Sequence, residues 1–103
     1  MRLWIDDCRP APEGYIWLKS TNEALCFITN HIHDIEEIAL DHDAGDYVNQ
    51  GGDYINILNE LEKLFRKSPS TFIGCKFSIH TANPVGAANM RRIIQKNGWR
   101  EVR

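Results

Sequence analysis

Two adjacent aspartates near the start of the chain are the first side chains whose type and spacing suggest chemistry. Asp6 and Asp7 follow the apolar run 2–5, and Arg9 comes two residues later. Neighbouring carboxylates repel each other at neutral pH, and burial increases that cost. A cation relieves the repulsion, so the pair predicts either an ion pair with Arg9 or a divalent metal ion, Mg²⁺ or Mn²⁺, held by carboxylate oxygens. An exposed, capped turn is the alternative interpretation.

The most unusual segment is Asp41-His42-Asp43, in which two acids flank a histidine and a glycine follows shortly after. An imidazole beside carboxylates is held in one tautomer, which suits it to general acid or base catalysis near neutral pH. The same side chains are also ligands for divalent metals. A solvated acidic loop between a strand and a helix is the alternative.

A third segment runs from His80 to Gly86 and joins a predicted strand to a predicted helix. Asn83 suits the cap position, and Pro84 suits the first helical position, where no amide donor is needed. The amides that follow lack intrahelical partners and lie at the positive end of the helix dipole. With the Thr81 hydroxyl and the small Gly86, they predict a phosphate site. A plain helix cap beside an incidental histidine is the alternative.

The rest of the pattern predicts an alternation of strands and helices that would bring these segments together. The predicted strands are 2–5, 15–18, 35–40, 75–80 and 99–102, and the predicted helices are 20–31, 53–67 and 83–97. Such alternation is typical of a mostly parallel sheet, which binds ligands at the carboxyl ends of its strands. All three ionisable segments follow predicted strands, so we expect one site at that edge.

Length and composition predict a single domain spanning residues 1–103. The chain is 43% hydrophobic and 25% charged, and its formal net charge of -2 gives no bulk attraction to DNA or to a membrane. DNA is therefore not an expected partner, and no apolar run reaches the ~18 residues that a membrane span needs. Three cysteines without a CxxC pair indicate a reduced, cytoplasmic protein.

Three motifs, taken together and in order, resemble those of the cyclic-phosphate processing receiver domain family. They are Asp-Asp-x-Arg at 6–9, Leu-Asp-His-Asp at 40–43 and His-x-x-Asn-x-x-Gly-x-x-Asn-Met at 80–90. Each motif is weak alone and specific in combination, and the resemblance covers nearly the whole chain. The family's motif positions in this chain are Asp6, Asp7, Arg9, Asp41, His42, Asp43, His80, Asn83, Gly86, Asn89 and Met90.

The resemblance implies a fold and a substrate class. The fold is a receiver-like (flavodoxin-like) α/β domain of three layers with a five-stranded, mostly parallel sheet, from which the first helix of the receiver pattern is missing. The implied substrates are cyclic phosphates, such as 2′,3′-cyclic phosphate ends of RNA or cyclic nucleotides. The implied settings are RNA repair and conflicts between phages and their hosts.

Combined with the chemistry of these side chains, the resemblance predicts a phosphoesterase. One histidine would activate water and the other would protonate the leaving oxygen. The expected catalytic residues are Asp41, His42, Asp43 and His80. The expected phosphate-binding residues are Arg9, Thr81, Asn83, Gly86 and Asn89, and the expected ligands of a divalent metal ion are Asp6, Asp7 and Asp41.

Two other functions fit the same residues. A degenerate receiver could bind a nucleotide or a protein partner without performing chemistry. Asp41 also stands where phosphoryl-accepting receivers carry their phosphoacceptor, with Thr81 near their hydroxyl residue. However, no lysine ends the last strand, where Arg100 is the nearest cation, so the added histidines favour acid–base chemistry over a conventional phosphorelay.

Overall fold

The chain forms strands and helices in the order that its sequence pattern predicts. A computed structural model describes the backbone of residues 1–103 and the side chains of residues 1–68 and 70–103. The strands are β1 (Arg2–Ile5), β2 (Tyr15–Leu18), β3 (Glu37–Leu40), β4 (Lys76–Ile79) and β5 (Arg100–Glu101), and the helices are α1 (Thr21–Asn30), α2 (Ile55–Phe65) and α3 (Pro84–Lys96). Short 3₁₀ turns at Gly45–Tyr47 and Pro69–Phe72 lie in the connections. Among the helices described, none is both long and apolar enough to cross a membrane.

The five strands form one sheet in the order β2-β1-β3-β4-β5, and every neighbouring pair is parallel. The register is regular, so that Ile5 lies beside Leu40, which lies beside Ile79. The strand order reverses at β1, which has β2 on one side and β3 on the other. The predicted receiver-like α/β fold with a five-stranded parallel sheet is confirmed.

Alternate residues of the strands form the hydrophobic core beneath the helices. Leu3 and Ile5 on β1, Ile38 and Leu40 on β3 and Phe77 on β4 are fully buried. They belong to one continuous cluster with apolar residues of every helix, including Ala24, Ile28, Leu58, Leu61, Met90 and Ile94. Because the same strand residues contact this single cluster, all three helices lie on one face of the sheet.

The opposite surface of the sheet, here called the open face, has no helix over it in the described chain. Its side chains are Arg2, Trp4, Tyr15, Trp17, Glu37, Ala39, Lys76, Ser78 and Arg100. The β1–β2 connection crosses part of it, and Trp4 Nε1 donates to the Arg9 carbonyl at 2.9 Å. The domain therefore has two layers, the sheet and the three helices, where the resemblance predicts three. The reason is that a short loop with two prolines replaces the helix that would have formed the third layer.

Capping residues fix where the helices begin and end, as predicted. The Ser20 hydroxyl accepts the Glu23 amide at 3.0 Å at the start of α1, and Asn83 Oδ1 accepts the Gly86 amide at 3.0 Å at the start of α3. Gly98 follows α3 with a φ of +69°, which only glycine adopts without strain. The start of α3 is thereby set beside the carboxyl end of β4.

Most boundaries differ from the prediction by one or two residues, and the start of β5 shows a physical reason. Trp99 lies outside β5, although the pattern places it in the last strand. Its ring instead stacks on Phe77, with 5.1 Å between centroids, and meets the edge of Phe72. Packing of the indole against the core therefore outweighs the pairing of its backbone with β4.

Candidate functional site

Three of the predicted site residues lie side by side where β1, β3 and β4 end. Asp6, Asp41 and His80 each follow the last residue of a strand, and the strands end in register. The backbone ladder continues one step further, since the Asp41 amide donates to the Ile5 carbonyl and the His80 amide to the Leu40 carbonyl, both at 2.9 Å. The structure therefore brings these three residues to one edge of the sheet, which we call the rim.

Asp6 is completely buried, and both of its carboxylate oxygens have partners. Oδ1 accepts the amides of Cys8 and Arg9, each at 3.0 Å, and Oδ2 lies 3.0 Å from His80 Nε2. Burial would raise the pKa of Asp6, but the two amides and the histidine outweigh it, so the pKa lies below its ordinary value. Asp6 therefore holds the β1–β2 connection and His80 in place as a carboxylate.

His80 is held between Asp6 and an aromatic ring on the open face. Its imidazole stacks on Trp4 with 3.7 Å between centroids and an interplanar angle of 4°, and its side chain is 17% exposed. Because a carboxylate can only accept, Nε2 carries the proton. Nδ1 is buried and has no partner among the described side chains. Burial lowers the pKa of His80, and the hydrogen bond to Asp6 opposes this only in part. His80 is thus a neutral imidazole with one nitrogen bonded and the other enclosed.

His42 lies on the helix side of the rim, away from His80. Its Nδ1 is 2.6 Å from Asp43 Oδ1, and its ring packs so closely on Gly86 that any Cβ there would clash with it. This hydrogen bond lowers the pKa of Asp43 against the effect of burial, and the Asn83 amide group, 3.4 Å from the same oxygen, lowers it further. His42 Nε2 has no hydrogen bond to the described residues, and the His42 side chain is 14% exposed. The result is an oriented imidazole–carboxylate pair with one free nitrogen.

A pocket of about 270 Å³ opens at the rim and is lined by Arg9, Asp41, Asp43, Thr81, Ala82 and Asn83. Arg9 is fixed there, because its Nη1 donates to the His80 carbonyl at 2.8 Å and its Nε lies 3.8 Å from Asp6 Oδ2. The wall includes the carboxylate partner of His42 but neither imidazole ring. A guanidinium, a hydroxyl and an amide in one pocket are groups that bind phosphate.

The sequence profile of one protein family matches most of the chain. This profile describes the cyclic-phosphate processing Receiver domain and matches residues 1–96. The chain belongs to this family. Neither the curated proteins nor the solved structures contain a significant match to it.

The phosphate-binding residues predicted for this receiver domain lie in different surroundings. Those in the pocket are Arg9, Thr81 and Asn83. Gly86 is buried beneath the His42 ring, and its amide donates to Asn83 Oδ1. The Ala87 amide donates to the Asn83 carbonyl at 2.9 Å. Gly86 therefore provides the surface on which the His42 ring packs. Because the Gly86 and Ala87 amides already have acceptors, the start of α3 has fewer free amides for a phosphate than the sequence suggests.

Two further motif residues of the receiver domain lie on α3, beyond its first turn. Asn89 Oδ1 accepts Arg92 Nη1 at 3.1 Å, and Met90 is fully buried in the core. Neither residue lines the pocket. The structure thus places Asn89 outside the predicted phosphate site, because the helix turns its side chain toward Arg92.

The predicted metal ligands fit a divalent ion only in part. Both oxygens of Asp6 already have protein donors. Burial raises the pKa of Asp7, and the nearby charges of Asp6 and Asp41 add to this rise, which marks an excess of negative charge. Asp41 Oδ1 accepts the His42 amide at 2.7 Å, which leaves its second oxygen without a donor among the described residues. Asp41 therefore keeps one oxygen to which no described group donates. The groups of possible ligand atoms that lie within 4.8 Å of one another in the described chain are Asp6, Asp7 and Cys8 and, separately, His42, Asp43 and Asp53, and neither contains Asp41.

Two residues at the rim were not predicted as part of the site. Trp4 stacks on His80. Asp53 Oδ1 accepts the Ala44 amide at 2.9 Å. The Asp53 carboxylate also has an oxygen within 4.8 Å of possible ligand atoms on His42 and Asp43. A signal for Trp4 was present, because it lies two residues before Asp6 on the same face of β1. A polar loop separates Asp53 from His42 in the sequence. The sequence contains no signal for Asp53, because its position at the rim depends on how that loop folds.

Proposed function

We propose that this receiver domain is a phosphoesterase that opens cyclic phosphates, either 2′,3′-cyclic ends of RNA or cyclic nucleotides. The observation that carries the proposal is the oriented His42–Asp43 pair beside a pocket that contains Arg9. An imidazole with one nitrogen held and the other free is suited to act as a general base. Membership of the cyclic-phosphate processing family supports the class of substrate.

In the proposed reaction, His42 Nε2 takes a proton from water while the water oxygen attacks phosphorus. One phosphorus–oxygen bond of the ring breaks, the released ribose oxygen takes up a proton from solvent, and a phosphomonoester remains. Asp43 stabilises the imidazolium until His42 returns its proton to solvent. Arg9 balances the charge on the phosphate oxygens. General acid–base catalysis of this kind contributes about 10²–10⁴-fold.

We assign His80 a positioning role in place of the second acid–base role that the sequence suggests. Its Nε2 is bonded to Asp6, and its Nδ1 is enclosed. Through Asp6 it helps to hold the Arg9 amide, and through its carbonyl it accepts the Arg9 side chain. His80 thus acts on the phosphate through Arg9.

A divalent metal ion remains part of the proposal. Asp7 and Asp41 would hold it, and it would supply Lewis-acid charge at the phosphate. The raised pKa of Asp7 supports this placement, because a cation would relieve the repulsion among the rim carboxylates.

The test is an assay with 2′,3′-cyclic nucleotides and with RNA oligonucleotides that end in a cyclic phosphate, in Mg²⁺, in Mn²⁺ and in chelator. We expect a single phosphomonoester product. His42→Gln and Asp43→Asn should lower kcat by about 10²-fold or more. His33→Gln, a change at an exposed histidine, should leave kcat unchanged. No turnover, or equal turnover by His42→Gln, would contradict the proposal.

One observation favours a non-catalytic alternative, in which the domain binds a nucleotide without altering it. Only one of the two rim histidines has a free nitrogen, so the second proton donor that catalysis often uses has no evident side chain. This alternative predicts that a cyclic nucleotide raises the midpoint of thermal unfolding and is recovered intact.

A further inference from the structure

A second charged surface lies at the opposite end of the strands from the rim. Arg2 on β1, Lys76 on β4 and Arg100 on β5 occupy one row across the open face, and we call these three residues the basic row. They surround a cavity of about 420 Å³ that is also lined by Glu36 and Gly74. An anion in this cavity would be attracted by cationic side chains from three strands.

The basic row contains three cations and lies beside two carboxylates, those of Glu36 and Glu37. Lys76 and Arg100 have no carboxylate oxygen within 4.0 Å among the described side chains, and Arg2 only reaches Glu36, at 4.0 Å. Both members of that pair are largely exposed, so it neutralises little charge. Glu37 lies within the row, between Arg2 and Lys76, and its carboxylate accepts the Tyr15 hydroxyl at 2.9 Å and the Ser78 hydroxyl at 3.3 Å. These neutral donors leave its negative charge in place. The cations of the row therefore outnumber its carboxylates, and Lys76 and Arg100 are the two that an anion would contact.

The surface between the basic row and the rim pocket is suited to a continuous polyanion. The strands are four residues long, about 13 Å at ~3.3 Å per residue, and no helix covers the open face in the described chain. Lys19 adds a further cation on this side, with its Nζ 4.3 Å from the centre of the Trp17 ring. Phosphate groups would be bound at both ends of this path, by Arg9 at the rim and by the basic row.

We propose that the open face binds single-stranded RNA, with backbone phosphates on the basic row and the 3′ end at the rim pocket. A nucleic-acid strand carries phosphate at both places, whereas an acidic peptide would supply none to the rim pocket. The placement of the 3′ end rests on the proposed function, and it makes an oligonucleotide a better substrate than a mononucleotide. The binding of the strand rests on the basic row alone.

The first test measures binding without any cyclic phosphate, so that it is independent of turnover. The probe is a fluorescent single-stranded RNA of about eight nucleotides with a 3′-hydroxyl end, within the usual range of site sizes. The double variant Lys76→Glu with Arg100→Glu should weaken binding at low salt by about tenfold. It should also reduce the slope of log K against log salt by about 1.4, because each of the two lost phosphate contacts contributes about 0.7. Lys63→Glu with Lys67→Glu makes the same change of charge at exposed positions on the helix side and should leave both values unchanged.

Arg100→Glu alone, at an exposed position, provides a variant whose folding is not at risk. It should lower kcat/KM for RNA with a cyclic end and leave kcat/KM for a cyclic mononucleotide unchanged. RNA binding without turnover of either substrate would reject the proposed function and support the present inference. The inference is overturned if the wild-type chain does not bind the RNA, if both double variants lose affinity equally, or if polyglutamate competes as well as RNA.

Discussion

The rings of Trp4 and His80 stack in parallel 3.7 Å apart, although β3 separates the strands that carry them. Ala39, which is opposite Trp4 in the register of β3, is only 1% exposed. A small side chain at this position leaves room for the two rings to meet above β3. The stack encloses His80 Nδ1 while Nε2 donates to Asp6. Trp4 therefore helps to keep His80 neutral and in place.

The first prediction concerns the dependence of stability on pH. The pKa of His80 in the folded protein lies below its ordinary value of 6.5, mainly because of burial. The unfolded chain therefore takes up this proton first, and the free energy of unfolding should fall as the pH decreases below 6.5. The slope from one such group is at most about 1.4 kcal/mol per pH unit. His80→Gln keeps an N–H donor for Asp6 but does not titrate, so its stability should fall less between about pH 8 and pH 5.

Urea unfolding at a series of pH values measures this difference. The lowered pKa of Asp6 contributes its own loss of stability only below its ordinary value of 3.8, outside this range. His33→Gln removes an exposed histidine and should keep the wild-type dependence. Parallel curves for the wild-type chain and His80→Gln would show that His80 is not the group responsible.

The second prediction concerns the buried carboxylate of Asp6. Asp6→Ala leaves the amides of Cys8 and Arg9 without their acceptor, at a cost of about 1–3 kcal/mol for each amide. Asp6→Asn retains an oxygen for both amides and should cost less. Denaturant unfolding of the two variants, with Asp46→Ala as an exposed control, measures the difference. Equal losses in Asp6→Ala and Asp6→Asn would show that the charge, and not the acceptor, is what matters.

The third prediction concerns the packing of the His42 ring on Gly86. Alanine normally stabilises a helix relative to glycine by about 1 kcal/mol, but a Cβ at Gly86 would meet the His42 ring. Gly86→Ala should therefore move the imidazole and lower kcat for a cyclic phosphate about 10–100-fold, as expected for misplaced acid–base groups. Gly74→Ala is the control, assayed with a cyclic mononucleotide that does not reach the basic row, because a Cβ at Gly74 has nothing within 4 Å. If both variants keep full activity, the position of the His42 ring is not important for the reaction.

Much of the site was predictable because its residues follow strands. Apolar runs of four residues predict where β1, β3 and β4 end, and a parallel sheet places those ends at one edge. The convergence of Asp6, Asp41 and His80 follows from these two facts. Local caps were equally predictable, since Asn83 and Pro84 act within a single turn of α3.

The separation of the two histidines could not be predicted by the same reasoning. Burial alternates along a strand, so Leu40 and Ile79 face the helices while His80 falls on the open face. His42 follows its strand by two residues, and its direction depends on the packing of α3 against the loop. Which face the helices cover follows from the strand order, because right-handed crossovers that run in one direction along a sheet lie on the same face. Such long-range packing has no local sequence signal.

The last prediction concerns the rim carboxylates and a divalent cation. The pKa of Asp7 is raised by burial and by the charges of Asp6 and Asp41, so its charged form costs stability at neutral pH. Asp7→Asn should therefore raise the midpoint of thermal unfolding in chelator. Mg²⁺ or Mn²⁺ at ten times its Kd should raise the wild-type midpoint by about 5–10 °C. The ion should have little effect on Asp7→Asn, which has lost a ligand.

The matched control for this experiment is Asp46→Asn, an exposed acid in the connection after β3. This variant should keep the full rise in the midpoint with Mg²⁺ or Mn²⁺, because its charge is not one of those that raise the pKa of Asp7. If neither ion stabilises the wild-type chain, Asp7 and Asp41 do not form a cation site. If Asp7→Asn is stabilised by the ions as strongly as the wild-type chain, other carboxylates hold the ion and Asp7 is not a ligand.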